Sequence, residues 1–98
     1  MRPYHALALG SLLASTTPVV AASEYLQSLG PGDPVHELAA EMEAQGCAMT
    51  ESDIFGFLGE RGADLGTVQS IIIDLARLGD LLWDGQASYT LVGWGQCA

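Results

Sequence analysis

The sequence predicts an α+β fold: three helices, a small C-terminal β-hairpin and one disulfide. Three observations lead there. A strongly apolar stretch of helical spacing runs from Asp64 to Leu78 and stops at Gly79. Two short apolar runs, Leu81–Trp83 and Ala87–Val92, then turn about Asp84-Gly85, a local signal for a hairpin. The cysteines number two, Cys47 and Cys97, an even count that suits one bridge.

Taken in order, the chain opens with Met1-Arg2-Pro3-Tyr4-His5, which carries one firm positive side chain. An apolar run from Ala6 to Ala14 follows, broken only by Gly10 and Ser11. Ser15 to Pro18 lead to Val20-Ala21-Ala22, small residues placed as a secretory peptidase requires. The run is too short to cross a bilayer as a permanent helix, so no stable membrane insertion is expected. Residues 1–22 thus read as a secretory signal peptide cut after Ala22, and the protein as secreted or periplasmic. As an alternative, the same residues would form an N-terminal helix of the domain, which leaves the break at Ser15 to Pro18 unexplained.

The mature chain, residues 23–98, would keep all twelve acidic side chains but only Arg61 and Arg77, a formal charge near −10. It has no lysine. Phosphate contacts supply most non-specific nucleic-acid affinity, so this balance argues against nucleic acid and equally against anionic membranes. It leaves basic partners and divalent cations as electrostatic matches. A domain this small buries a limited core and commonly needs a staple. A Cys47–Cys97 bridge would close a loop of about 50 residues, worth roughly 3–4 kcal/mol in the chain-entropy model. No Cys-x-x-Cys or paired histidines accompany these cysteines, which disfavours a metal or redox role.

Residues 23–33 begin with Tyr25, Leu26 and Leu29 and end in Gly30-Pro31-Gly32; they read as one loose helical turn and a linker. The domain proper would span residues 34–98. Asp33-Pro34 starts the first helix as cap and first turn, Val35, Leu38, Ala39 and Met42 form its apolar side, and Gly46 ends it. Thr50 caps the second helix, whose inner face is Ile54, Phe57 and Leu58, with Phe55 at its flank. Gly56 and Gly59 weaken that helix, each by up to about 1 kcal/mol relative to alanine. Asp64 caps the third helix, with a buried stripe of Val68, Ile71, Ile72, Leu75 and Leu78. Ile73 points away from that stripe. The tail Gly93-Trp94-Gly95-Gln96-Cys97-Ala98 would float free unless Cys97 ties it down.

Helix, short strand, helix, turn, helix and hairpin is an order that resembles the winged helix-turn-helix fold over about Pro34 to Val92. The run Leu65-Gly-Thr-Val-Gln-Ser-Ile-Ile-Ile-Asp-Leu-Ala-Arg-Leu-Gly-Asp-Leu-Leu is similar to that family's third helix, glycine stop and first wing strand. The resemblance implies a short strand at Cys47 to Met49 beside the last hairpin strand, so that Cys47 and Cys97 meet across a small sheet. It also implies a third helix that reads DNA. Yet this helix offers Thr67, Gln69, Ser70, Asp74 and Arg77, and the wing turn Asp84-Gly85-Gln86 has no basic residue. A DNA reader would show Arg, Lys, Asn or Gln on the exposed face, with Lys or Arg around it for the phosphates.

No catalytic, cofactor or metal constellation is legible. His36 reads as a lone surface histidine among acids. Ser70 and Asp74 share a helix face without a histidine to complete a nucleophilic set. Glu37, Glu41 and Glu43, like Glu51, Asp53 and Glu60, read as solvated faces without the alternating loop of a calcium site. The sharper candidates are aromatic: Trp83 and Tyr89 flank the hairpin turn and Trp94 follows in the tail. Together with Gln69, Ile73 and Asp74 on the outer side of the third helix they form a candidate protein-contact surface. The expected function is therefore an exported, non-enzymatic interaction or accessory domain that meets another exported protein, with basic chemistry as its electrostatic match. The runner-up is a DNA-binding regulator, if residues 1–22 stay attached; an exported enzyme fragment or inhibitor comes third.

Overall fold

The computed structural model describes residues 21–98, and the segment 1–20 that carries most of the expected signal peptide lies outside them. The described chain is a small α+β domain of four helices and one three-stranded sheet. The helices are α1 (Glu24–Ser28), α2 (Pro34–Ala44), α3 (Glu51–Glu60) and α4 (Leu65–Arg77). The strands are β1 (Ala48–Thr50), β2 (Leu81–Trp83) and β3 (Ser88–Leu91), all antiparallel in the order β1-β3-β2.

Local chemistry sets the boundaries. Asp33, Thr50 and Asp64 each accept a backbone N–H at a helix start, from Val35, Asp53 and Thr67 respectively. Such caps satisfy donors that the first turn leaves without partners. Gly46, Gly62 and Gly79 take the left-handed backbone that ends the three longer helices. At the end of α2 the reversal extends one residue further, and Cys47 also holds φ at +72°. Its N–H donates to the Met42 carbonyl at 2.7 Å, and its carbonyl accepts from Leu91 at 2.7 Å.

The hairpin turns as Asp84-Gly85 predicts, with Gly85 at φ +88°. One Asp84 carboxylate oxygen accepts from the backbone N–H groups of Gln86, Ala87 and Ser88 at 2.7–3.0 Å. β3 then pairs Tyr89 with Trp83 on one side and with Met49 on the other. Alternation along the strands places Met49, Leu81, Leu91, Tyr89 and Trp83 on the helix-facing side, while Leu82, Thr90 and Ala48 face outward. Leu38, Met42, Ile54, Leu58 and Val68 complete the core against that side.

The expected bridge is present. Cys47 and Cys97 are joined, with Cα atoms 5.6 Å apart, and Cys97 is buried. The tail is fixed further by Gly93 N–H to the Cys97 carbonyl at 2.9 Å and by Gln96 N–H to the Glu43 carboxylate at 2.5 Å. Both disulfide sulfurs sit at the β1 end of the sheet, because Cys47 leads into β1 and β3 leads out towards the tail.

Two expectations need correction and one is sharpened. The helical turn expected in 23–33 is a fourth helix, α1, whose Leu26 is 1% exposed. Ala22 is buried too, and donates its N–H to the Gly93 carbonyl at 3.0 Å. Leu78 does not belong to the buried stripe of α4; it caps the helix and stands 49% exposed, because Gly79 turns the chain before any neighbour covers it. The short strand begins one residue later than expected, at Ala48, since Cys47 is occupied by the reversal that ends α2.

Candidate functional site

The sequence singled out six contact residues, and the fold divides them among three places. Gln69 and Ile73, one helical turn apart on α4, line an open groove of about 450 Å³ together with Tyr89 of β3. Glu51 and Phe55 of α3 and Ile72 of α4 complete it. Trp83 joins from the neighbouring strand, its ring tilted against Tyr89 with centroids 4.9 Å apart. Ile73 in the groove and Trp83 beside Tyr89 stand 52% and 46% exposed, large for apolar side chains.

The groove is acidic where it is charged. Glu51 sits on its wall, and its charge adds to burial, the larger cause, in raising the Tyr89 hydroxyl above its ordinary pKa. Tyr89 therefore stays a neutral donor or acceptor through the physiological range.

Asp74 and Trp94 lie elsewhere. Asp74 follows Ile73 directly, but one residue rotates the helix face by about 100°, and it lines a second hollow with Tyr25, Arg77 and Leu78. Burial, then Asp33, then Asp74 raise the Tyr25 hydroxyl above its usual value. Trp94 is half-buried in the tail and meets the His36 ring edge-on at 5.4 Å. His36 donates from Nδ1 to the Leu29 carbonyl at 3.1 Å, so its polar edge is engaged within the fold. The first hollow thus gathers Gln69, Ile73 and Tyr89, with Trp83 against Tyr89, and leaves out Asp74 and Trp94.

Several residues that the structure places prominently were not singled out in the sequence. Phe55 and Glu51 enter the groove because α3 packs across α4, a tertiary fact without a local signal. Asp80 is 1% exposed and accepts from the Ser23 backbone N–H at 2.7 Å and the Ser23 hydroxyl at 2.5 Å. Its only hint was an acid placed between a helix-stopping glycine and an apolar strand. Arg61 pairs with Glu37 at 2.7 Å and lies over the Phe57 ring, the sole ion pair among the described residues.

Among the described residues, no three His, Cys, Asp or Glu side chains gather in a way that could hold a metal ion. No described helix is long and apolar enough to cross a membrane. No protein-family model, no curated protein and no solved structure matches the chain.

Proposed function

We propose that the protein is an exported, non-enzymatic interaction domain, a winged-helix-like scaffold that has exchanged nucleic-acid reading for protein contact. It docks a segment of another exported protein into the groove between α3, α4 and the hairpin. The observation that carries this reading is exposed Ile73 in a groove lined by Phe55, Ile72 and Tyr89, with exposed Trp83 packed against the Tyr89 ring. Aromatic side chains that a partner can desolvate in a hollow are the usual anchors of protein interfaces.

Charge narrows the partner. Twelve acids against two arginines in the mature chain, and Glu51 on the groove wall, favour a segment with apolar side chains flanked by Lys or Arg. The same balance repels a phosphate backbone. Cys47–Cys97 fits an oxidising compartment, where such bridges persist.

The test is expression with the native N-terminus in an export-competent Gram-negative host, with photo-crosslinking amino acids at Ile73 or Trp83. Crosslinks to an exported basic protein from these two positions, and not from exposed Leu65, are expected. An uncleaved cytoplasmic chain with two alkylatable thiols and salt-sensitive DNA affinity would reverse the assignment in favour of a regulator.

A further inference from the structure

Asp80 is a fully buried carboxylate, and among the described residues no cation reaches it. Arg61 is engaged by Glu37, and Arg77 lines the hollow with Asp74. Both Asp80 oxygens are taken up by one residue, Ser23, through its backbone nitrogen at 2.7 Å and its hydroxyl at 2.5 Å. Buried carboxylates are ordinarily paired with a positive group, because desolvation penalises the bare charge. Ser23 is also the residue that follows Val20-Ala21-Ala22, the small-residue pattern of a secretory cut.

We infer that Asp80 is a receptor for the chain's own new N-terminus, the α-ammonium of Ser23. The inference rests on the export reading above and adds to it a bond and a partner. Hydrolysis of the Ala22–Ser23 peptide by the export peptidase adds water across that bond. Ala22 leaves with a carboxylate, and Ser23 keeps an amine that takes up a proton at neutral pH. The nitrogen that donates to Asp80 as an amide becomes a cation at the same position, and a neutral hydrogen bond becomes a charge-assisted one. The cut gives up the buried Ala22 side chain, its N–H bond to the Gly93 carbonyl and the bond its carbonyl accepts from the Gln27 amide. A cut one residue earlier, after Ala21, would keep all three but leave Asp80 facing neutral donors alone. The fold therefore registers that processing has occurred: the ion pair exists only in the cleaved chain.

The absence of lysine makes the test clean, since the mature chain then has one amine, the α-amino group itself. The N-terminal residue of the exported protein is read first by intact mass. The amine is then acetylated in denaturant and the protein refolded, with the disulfide intact throughout. A start at Ser23 is expected, with the free-amine form melting more than about 5 °C above the acetylated form. Asp80→Asn, which preserves shape and removes the charge, is expected to erase that difference. In the free-amine wild type, labelling by an amine-reactive reagent is expected to slow at least about tenfold on folding. If Asp80→Asn does not fold, the wild-type pair of melts and the labelling ratio decide alone. A chain that retains Met1 overturns the export reading and this inference together. A start at Ala22, or a Ser23 amine whose acetylation leaves the melt unchanged, overturns the inference and leaves export standing.

Discussion

Cys47 carries a left-handed backbone that a side chain rarely adopts, and its sulfur is also one end of the disulfide. The two contributions are separable by comparing Cys47→Ala/Cys97→Ala with Cys47→Gly/Cys97→Ala. Both variants lose the bridge. With 50 positions between the cysteines, the chain-entropy model gives a loss of about 4 kcal/mol. That is a large share of the roughly 5–15 kcal/mol that holds a typical domain. The variants differ only at φ +72°, where alanine meets the steric penalty of the left-handed region and glycine does not. Set against the extra freedom glycine has when unfolded, the glycine variant should be more stable by about 1 kcal/mol. Urea unfolding followed by tryptophan fluorescence reads both losses, since Trp83 and Trp94 report on the hairpin and the tail. The slope with urea should rise in both variants relative to wild type, because the unfolded chain is no longer closed on itself. Equal stability of the two variants would refute the reasoning. It would mean that the disulfide, and not the hydrogen bonds to the Met42 carbonyl and from the Leu91 N–H, imposes the reversal, so that position 47 relaxes once the sulfur is gone.

Leu26→Ala should cost about 3 kcal/mol, since Leu26 is buried against the core from a helix of only five residues; a fall of less than about 1 kcal/mol by chemical denaturation would return residues 23–33 to the status of a linker. Asp84 has its carboxyl held below the ordinary range, first by the Gln86 N–H and then by those of Ser88 and Ala87. A depressed carboxyl stabilises the fold above its unfolded pKa of about 3.9 and loses that contribution as pH falls through the lower folded value. Hydrogen exchange at Gln86 to Ser88 should therefore quicken below pH 4, and Asp84→Asn should flatten that dependence. Arg61→Ala removes an exposed ion pair with Glu37 and the contact with Phe57; the loss should stay below about 1 kcal/mol and shrink in high salt, as thermal melts at two salt concentrations would show.

What could be read from the sequence was whatever is decided within a few residues. Asp33, Thr50 and Asp64 as caps, Gly46, Gly62 and Gly79 as stops, and Asp84-Gly85 as a turn each act through neighbours along the chain. α1 registered only as a loose turn because five residues are too few for a helical period, and its anchor, Asp80, lies 57 positions away. Leu78 fitted the spacing of the buried stripe, yet spacing says nothing of where the covering neighbours run out. In the groove, Gln69 and Ile73 share a helix face, and Trp83 and Tyr89 share a hairpin register, so both pairs were legible. Phe55 and Glu51 were not, because only the packing of α3 on α4 brings them there. Trp94 was misplaced for the opposite reason: Gly93 and Gly95, both at positive φ, and the bridge at Cys97 turn the tail back towards His36.

The middle strand of the sheet is the last one made. β3 pairs on one side with β1, some forty residues upstream, and on the other with β2, while Cys97 reaches back to Cys47 and Asp80 to Ser23. Until Leu91 and Cys97 have been synthesised, the earlier helices have no sheet to pack on and Asp80 has a partner without a frame. Folding must therefore wait for β3 and Cys97. Until then the nascent protein is an open, acidic polymer whose α2 and α3 expose the apolar faces that the sheet will cover.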